Sequence, residues 1–135
     1  MEIVGVSHPV PTNIAKRIYN EGKNVFIGKR CLCKVSPGDK FILYESRGAR
    51  AYTGWADIKS IGKQKTNSIQ NKYGNKLMVT KEEFKDYVKG FPEMNVIEFE
   101  NFHKFNMPVV PIHFVTVGGK YITKKEFRFI DKNRN

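Results

Sequence analysis

The sequence predicts an α+β domain: a small, strongly bent or closed antiparallel sheet with two or three short helices. Three observations lead to this class. The chain of 135 residues has the common length of one domain, short apolar segments alternate with tight turns, and only a few segments have the apolar spacing of a helix. Aromatic residues make up 13% of the chain, enough for a packed core. We therefore expect one domain over residues 1–135.

The first 35 residues predict a strand, a helix and two further short strands. Thr12 has the side-chain hydroxyl of a helix N-cap, and Gly22 suits the position just past a helix C-terminus. Between them, apolar residues recur at helical spacing. The predicted elements are strands at Met1–Val6, Asn24–Ile27 and Arg30–Val35, and a helix from Thr12 to about Glu21.

A β-hairpin follows, and its turn residues make it the best-defined prediction in the chain. Ser36–Asp39 has proline second and glycine third, as a type II turn prefers. The segment after this turn predicts two strands, Lys40–Glu45 and Ala51–Ile61, which flank the polar loop Ser46–Arg50. Gly54 in the second strand indicates a bulge or a close approach of another backbone.

The C-terminal half carries two similar helix starts. Thr80 precedes Glu83 by three residues, and Thr123 precedes Glu126 by three, which is the spacing of a capping box. Four apolar side chains are predicted to form the buried face of the first of these helices: Phe84, Tyr87, Val88 and Phe91. The remaining predicted elements are a short helix at Ser68–Tyr73, strands at Val96–Phe105 and Ile112–Val117, and a turn at Gly118-Gly119.

The distribution of charge indicates a polyanionic partner. The formal net charge is +11, and no acidic residue lies between Asp57 and Glu82, a stretch that carries six lysines. The acids concentrate instead between Glu82 and Glu100. A basic face of this kind suits a phosphate backbone. The alternative is that the lysines only keep the protein in solution.

Other compositional features argue against a membrane protein and against a disulfide scaffold. No apolar run approaches the ~20 residues of a membrane span, and the N-terminus lacks the pattern of a signal peptide, so we expect a cytoplasmic protein with no membrane partner. Cys31 and Cys33 are one residue apart. We expect two small buried apolar residues, with metal binding beside a histidine as the alternative. No cofactor or metal is predicted.

Residues 35–61, VSPGDKFILYESRGARAYTGWADIKSI, resemble the core of the PUA-like superfamily, which includes the PUA, ASCH, EVE and YTH domains. The shared pattern is a Pro-Gly-Asp turn, an apolar strand ending near an aromatic, a variable loop, and a strand with Gly54, Ala56 and Ile58. The whole chain is similar to an uncharacterised archaeal family in that superfamily. The resemblance implies a pseudo-barrel that binds RNA, sometimes with one modified base in a pocket. The ASCH pattern G-x-K-x-x-E-x-R is incomplete, since the stretch Gly22–Arg30 lacks the glutamate.

Cations beside glycines, and aromatic or hydroxyl side chains near them, are the candidate site residues. Glycine permits close backbone approach, and arginine and lysine bind phosphate. Aromatic rings stack on unpaired bases. The predicted nucleic-acid contacts are Lys23, Lys29, Arg30, Ser46, Arg47, Arg50, Lys120 and Lys124. The predicted base-pocket residues are His8, Thr12, Tyr52, Trp55 and Tyr121, and RNA is preferred over DNA as the partner.

Two other functions stay open at this point. Some ASCH-like proteins are amidohydrolases that act on acetylated cytidine with a threonine, a lysine and a glutamate, which by resemblance implies Thr12, Lys23 and Glu45. The residues alone assign no catalytic group, because the three histidines are scattered and no G-x-S-x-G motif occurs. A protein-interaction domain that uses the acidic 82–100 region is the third possibility.

Overall fold

We describe the protein from a computed structural model, which covers residues 2–30, 32–113 and 115–135. Four helices are interspersed among six strands, and one 3-10 turn, Gly74–Lys76, follows the second helix. The helices are α1 (Thr12–Glu21), α2 (Thr66–Tyr73), α3 (Lys81–Val88) and α4 (Lys124–Asn133). The strands are β1 (Ile3–Val10), β2 (Val25–Gly28), β3 (Lys40–Glu45), β4 (Ala51–Lys65), β5 (Glu93–Val109) and β6 (Lys120–Thr123).

The strands form one six-stranded sheet in the order β2-β5-β4-β3-β1-β6, so the α+β class is confirmed. The sheet is mixed and does not close. All neighbours are antiparallel except β1 and β3, which run parallel from the pair Gly5 and Lys40 to the pair Val10 and Glu45. The expectation of a purely antiparallel sheet was therefore wrong for this pair, because the chain crosses over through α1 before β3 and returns in the same direction.

The predicted hairpin is confirmed as β3 and β4, with Leu43 opposite Gly54. Strands β4 and β5 are much longer than predicted and pair over most of their length. Their register shifts at three places along β4: between residues 52 and 54, between 55 and 57, and between 58 and 60. Such irregularities bend a strand pair and increase its twist. Strand β4 continues to Lys65, directly before the start of α2.

The core has three apolar clusters, one for each group of helices. The first packs α1 on the central sheet, with Phe41 and Phe99 stacked 4.9 Å apart between ring centroids. The second joins α2 and α3 to β2 and β5 through residues such as Ile69 and Phe84. The third lies under α4 on the other face and includes Trp55.

Several local predictions need correction. Thr12 is the first residue of α1 and Pro11 is the N-cap residue, with no side-chain cap. The described residues of 30–35 and of 112–117 contain no strand, and β5 instead continues through Pro108 to Val109. Cys31 lies outside the described residues, and Cys33 is exposed rather than buried.

The first predicted capping box is confirmed, and the second is half formed. The Thr80 hydroxyl accepts from the Glu83 amide at 3.1 Å, and the Glu83 carboxylate accepts from the Thr80 amide at 2.8 Å. The Thr123 hydroxyl likewise accepts from the Glu126 amide at 3.2 Å. The Glu126 carboxylate, however, accepts from the Tyr52 hydroxyl at 2.7 Å instead of returning to the cap.

Two findings concern only the described part of the chain. No helix there has the length and apolar character to cross a membrane. No group of three or more His, Cys, Asp or Glu side chains in those residues is placed to bind a metal ion together.

Candidate nucleic-acid interface

A cleft of about 630 Å³ opens between α1, β2 and α3, and we call it the α1–α3 cleft. The chain supplies its walls from five separate places: the end of β1 with the first turn of α1, strand β2 and Lys29, residues 78–79, α3, and Val117. Most of the lining is apolar, including Ile14, Phe26, Met78 and Val79. A cavity of this size and character is typical of a small-molecule or base site.

An ion pair holds the two helices that flank this cleft. Arg17 of α1 donates from Nη1 to Glu83 Oε1 at 2.6 Å and from Nη2 to Oε2 at 3.1 Å. The same guanidinium donates to the Met78 carbonyl at 2.9 Å. The hydrogen bond from Arg17 and the backbone bond from Thr80 lower the pKa of Glu83 to about 2. The bidentate pair ties α1 to the start of α3 beside the cleft.

The rim of the cleft carries two exposed aromatic side chains and a cation. Tyr87 is 38% exposed and Phe91 is 42% exposed. The ammonium of Lys29 lies 4.5 Å from the Tyr87 ring centroid and 4.9 Å from that of Phe91. The prediction that α3 buries all four of its apolar side chains was wrong, since only Phe84 and Val88 are buried. Tyr87 lies at the exposed edge of the apolar face of α3, and Phe91 lies beyond the end of the helix.

His8 lies behind the cleft rather than in it. Its ring is 5% exposed and stacks on Phe26, with 4.7 Å between ring centroids. Burial lowers its pKa to about 4, so the ring is neutral at pH 7. The adjoining space, also lined by Arg30 and Asn95, is about 10 Å³, which holds no more than one water molecule. The prediction that His8 contacts a base directly was wrong. Its buried ring instead packs against Phe26, which lines the cleft.

Thr12 and Glu45 meet where β1 and β3 end side by side. The Thr12 hydroxyl lies 2.8 Å from Glu45 Oε1 and also donates to the Arg47 carbonyl. Tyr19 donates to the other Glu45 oxygen at 3.2 Å, and burial is the main cause that raises the Tyr19 pKa to about 12. A Cβ at Gly48 would lie 2.6 Å from the Thr12 hydroxyl. These contacts cover the hydroxyl and fasten the hairpin tip to α1.

The three residues of the hydrolase alternative do not come together. The Lys23 ammonium bonds the Asn75 carbonyl at 2.5 Å, beyond the C-terminus of α1. Thr12 begins the same helix, so the two side chains are separated by roughly 16 Å along its axis. A threonine with a covered hydroxyl and no nearby lysine lacks the activated nucleophile that this chemistry requires. The grouping of Thr12, Lys23 and Glu45 was therefore wrong.

The aromatic residues of the predicted base pocket are not a platform. Tyr52 is fully buried and Trp55 is 8% exposed. The Trp55 ring is packed between Phe105 and Phe127, so no face is left for a base. Tyr121 is half-buried, and its hydroxyl accepts from the Lys34 amide at 3.1 Å. The prediction was wrong for Tyr52 and Trp55, because large apolar side chains on a central strand fill the interior.

The predicted cations occupy several separate places, of which only Lys29 lines the α1–α3 cleft. Arg47 and Arg50 are exposed on the hairpin tip, and the Ser46 amide there donates to the Val10 carbonyl at 3.0 Å. The rest are engaged elsewhere. Arg30 packs along Gly118, Lys23 bonds Asn75, Lys120 bonds Glu126 at 2.7 Å, and Lys124 pairs with Glu2 at 3.8 Å.

Residues 3–124 match the family described as "Domain of unknown function (DUF365)". The chain belongs to the DUF365 family. It is also 32% identical over 105 residues to an uncharacterised protein of Methanocaldococcus jannaschii, which covers 69% of this chain and 97% of that protein. The expectation of an uncharacterised archaeal relative is thereby confirmed.

Solved structures show where the DUF365 fold belongs. ASCH from Zymomonas mobilis matches with a TM-score of 0.85 and 14% identity, over 96% of this chain and 94% of that chain. A hypothetical protein from Leishmania major matches with a TM-score of 0.54 and 13% identity, over 97% and 94%. At such identities the likeness shows the fold alone. The match confirms for this DUF365 chain the ASCH-type fold that residues 35–61 led us to expect.

Proposed function

We propose that this protein binds single-stranded RNA and holds a base in the α1–α3 cleft. The observation that carries the proposal is the rim of the cleft, where Lys29 lies over the exposed rings of Tyr87 and Phe91. Single-stranded nucleic acids are bound by exposed aromatic rings that stack on bases next to cations that contact the backbone. The net charge of +11 supports a polyanionic partner.

The chemistry of the cleft walls favours stacking over hydrogen-bond readout. Its floor is made of Phe26, Ile14 and Met78, which offer no side-chain donors or acceptors. An unpaired base can enter such a cleft, whereas the bases of an RNA duplex stay stacked within a deep, narrow groove. The resemblance of residues 35–61 to the RNA-binding PUA-like domains supports RNA over DNA. We therefore expect a preference for single strands with little sequence specificity.

The same apolar walls favour a methylated base. Each buried CH₂-sized group contributes about 0.8 kcal/mol, or roughly fourfold in affinity. A methylated oligonucleotide is expected to bind more tightly than its unmodified twin by this factor. Equal affinities would leave base binding in place and remove the preference for a modified base.

The direct test is fluorescence anisotropy with labelled oligonucleotides of roughly ten nucleotides, within the usual site size of such proteins. We expect single-stranded RNA to bind more tightly than duplex RNA, with affinity falling steeply between about 50 and 200 mM salt. The variant Tyr87→Ala removes a stacking ring and should weaken binding by about 1–3 kcal/mol. Lys29→Ala should also reduce the salt dependence by about 0.7 in slope, one phosphate contact.

Matched controls exist on the same chain. Met107 is 55% exposed and apolar but far from the cleft lining, and Lys132 is exposed on α4. Met107→Ala and Lys132→Ala should leave affinity within about twofold, since neither alters a stacking or phosphate contact of the cleft. If Tyr87→Ala and Met107→Ala bind RNA equally well, the cleft is not the site.

A further inference from the structure

A second concave surface lies on the far side of α2 and is not used by the proposed base cleft. This groove, about 410 Å³, runs between the C-terminal half of β4 and α2, and we call it the β4–α2 groove. Lys63, Lys65 and Lys72 line it together with Ser60 and Ser68. No carboxylate belongs to its lining. Its chemistry is therefore that of an anion site.

The lysines of this groove form no ion pair with a carboxylate of the described residues, although Glu93 lies opposite Lys65 in the β4–β5 register. Seven ion pairs form among all the described residues, and none includes Lys63, Lys65 or Lys72. Nearby Lys59 and Lys76 differ, since both lie within 3.9 Å of Glu98. Three unneutralised cations lining one groove repel one another, and a bound anion relieves that repulsion.

A tyrosine hydroxyl adds a directional donor. Tyr73 lines the groove, is 6% exposed, and accepts a hydrogen bond from Gln64 Nε2 at 2.6 Å. Because the amide nitrogen only donates, the proton of the Tyr73 hydroxyl remains available for an acceptor. Lys72 lies beside the same residue, with its ammonium 5.4 Å from the ring centroid. A phosphate oxygen is the acceptor that fits a hydroxyl donor beside lysines.

A third concavity lies between α2 and the α1–α3 cleft. It measures about 470 Å³ and shares Met78 and Val79 with the cleft. Its cationic lining is Arg17, Lys23 and Lys81, against one carboxylate, Glu21. Gln70 and Asn71 of α2 also line it, while Ser68 and Lys72 of the same helix line the β4–α2 groove. The third concavity and the β4–α2 groove are therefore lined by different residues of α2, and the third concavity borders the α1–α3 cleft.

We infer that an RNA strand held in the α1–α3 cleft continues around α2 and that the β4–α2 groove binds its phosphate groups. The inference rests on the proposed function for the identity of the strand, whereas the phosphate chemistry of the groove stands on its own residues. The groove binds phosphate through the ammonium groups of Lys63, Lys65 and Lys72 and the Tyr73 hydroxyl. It adds affinity but no base selectivity, because backbone contacts position a strand without reading its sequence.

The test compares two triple variants that remove the same charge. One is Lys63→Gln with Lys65→Gln and Lys72→Gln. The control changes three exposed cations of α4 to glutamine: Lys125, Arg128 and Lys132. The measurement is the slope of log affinity against log salt for single-stranded RNA. The groove variant should lower the slope by about 2, since each phosphate contact on a single strand contributes about 0.7, and the control should change it far less. Equal slopes for the two variants would overturn the inference.

A second measurement separates this inference from the proposed function. Inorganic phosphate is titrated into the ¹⁵N-labelled wild-type chain and into the groove variant. Saturable amide shifts over residues 60–73 that vanish in the variant support a phosphate site even if RNA does not bind, and the ligand is then a small phosphate compound. RNA binding by the wild type with no difference between the triple variants overturns the groove alone. Absence of both RNA binding and phosphate shifts overturns both proposals.

Discussion

The protonation of His8 should make the folded protein lose stability in mild acid. Its ring is surrounded by Phe26, Phe41, Leu32 and the backbone at Gly119. None of these groups favours the charged imidazolium, so burial lowers the pKa of His8 from 6.5 to about 4. Between these pH values the unfolded chain binds a proton that the folded protein does not. The free energy of unfolding therefore falls as the pH falls.

The magnitude follows from the size of that pKa shift. A difference of one pH unit corresponds to about 1.4 kcal/mol, so the window between 6.5 and 4 amounts to about 3 kcal/mol for this one group. The stability that neutral His8 allows is fully present above pH 6.5 and is lost progressively towards pH 4. Carboxylates also titrate in this range, and their contribution must be subtracted.

Urea unfolding of the wild type and of His8→Leu, measured at several pH values between 4 and 8, isolates the effect. The free-energy difference between the two proteins should change by about 3 kcal/mol in favour of the variant as the pH falls to 4. His103 is exposed and serves as the control. His103→Gln should keep the wild-type pH dependence. A constant difference between wild type and His8→Leu across this range would refute the account of His8.

Four further predictions test other contacts. Gly48→Ala should destabilise the fold by about 1–3 kcal/mol in thermal melts, because residue 48 has a φ of +84° and a Cβ there meets side-chain oxygens, whereas Gly62→Ala should cost nothing. Glu83→Gln should cost about 1 kcal/mol at pH 7 in urea melts, since the pair is partly solvent-screened, and the gap should close as the pH falls from 4.5 towards 2. Tyr52→Phe should cost about 1–3 kcal/mol by leaving the buried carboxylate under α4 short of a donor. Trp55 is the sole tryptophan, and its fluorescence should resist iodide quenching and stay unchanged when RNA binds.

Local chemistry accounts for the parts of the fold that the sequence predicts. The turn at Ser36–Asp39 predicts where β3 begins, because proline and glycine impose the backbone geometry of that turn. The Thr80–Glu83 box predicts the start of α3 because its two hydrogen bonds close within four residues. Gly22, with a φ of +69°, ends α1 as its position suggested. Each of these signals acts over only a few residues.

The parts that escape prediction depend on contacts between distant segments. The parallel pairing of β1 with β3 is decided by where α1 packs, and no local pattern records that. The α1–α3 cleft is assembled from residues near 10, 26, 78 and 87, so only Lys29 of its lining was predicted as a site residue. Tyr87 and Phe91 were assigned to the core because apolar spacing on a short helix does not say which face is covered.

Thr123 and Glu126 illustrate how tertiary contacts override a local pattern. The spacing predicts a second capping box, and the threonine does cap α4. The glutamate, however, faces the Tyr52 hydroxyl and the Lys120 ammonium at 2.7 Å each. A buried carboxylate gains more from these partners than from the exposed cap amide. Lys120, which was predicted to bind nucleic acid, pairs with Glu126 in this cluster.

Mapping the RNA contact on the ¹⁵N-labelled protein tests the central claim most directly. A short single-stranded RNA is titrated in, and amide shifts are followed for each described residue. Binding in the α1–α3 cleft predicts saturable shifts at residues 9–14, 26–29 and 78–91, with little change in β6 and α4. Shifts confined to β6 and α4, or no shifts at about 50 mM salt, where phosphate contacts are strong, would contradict the assignment of this cleft.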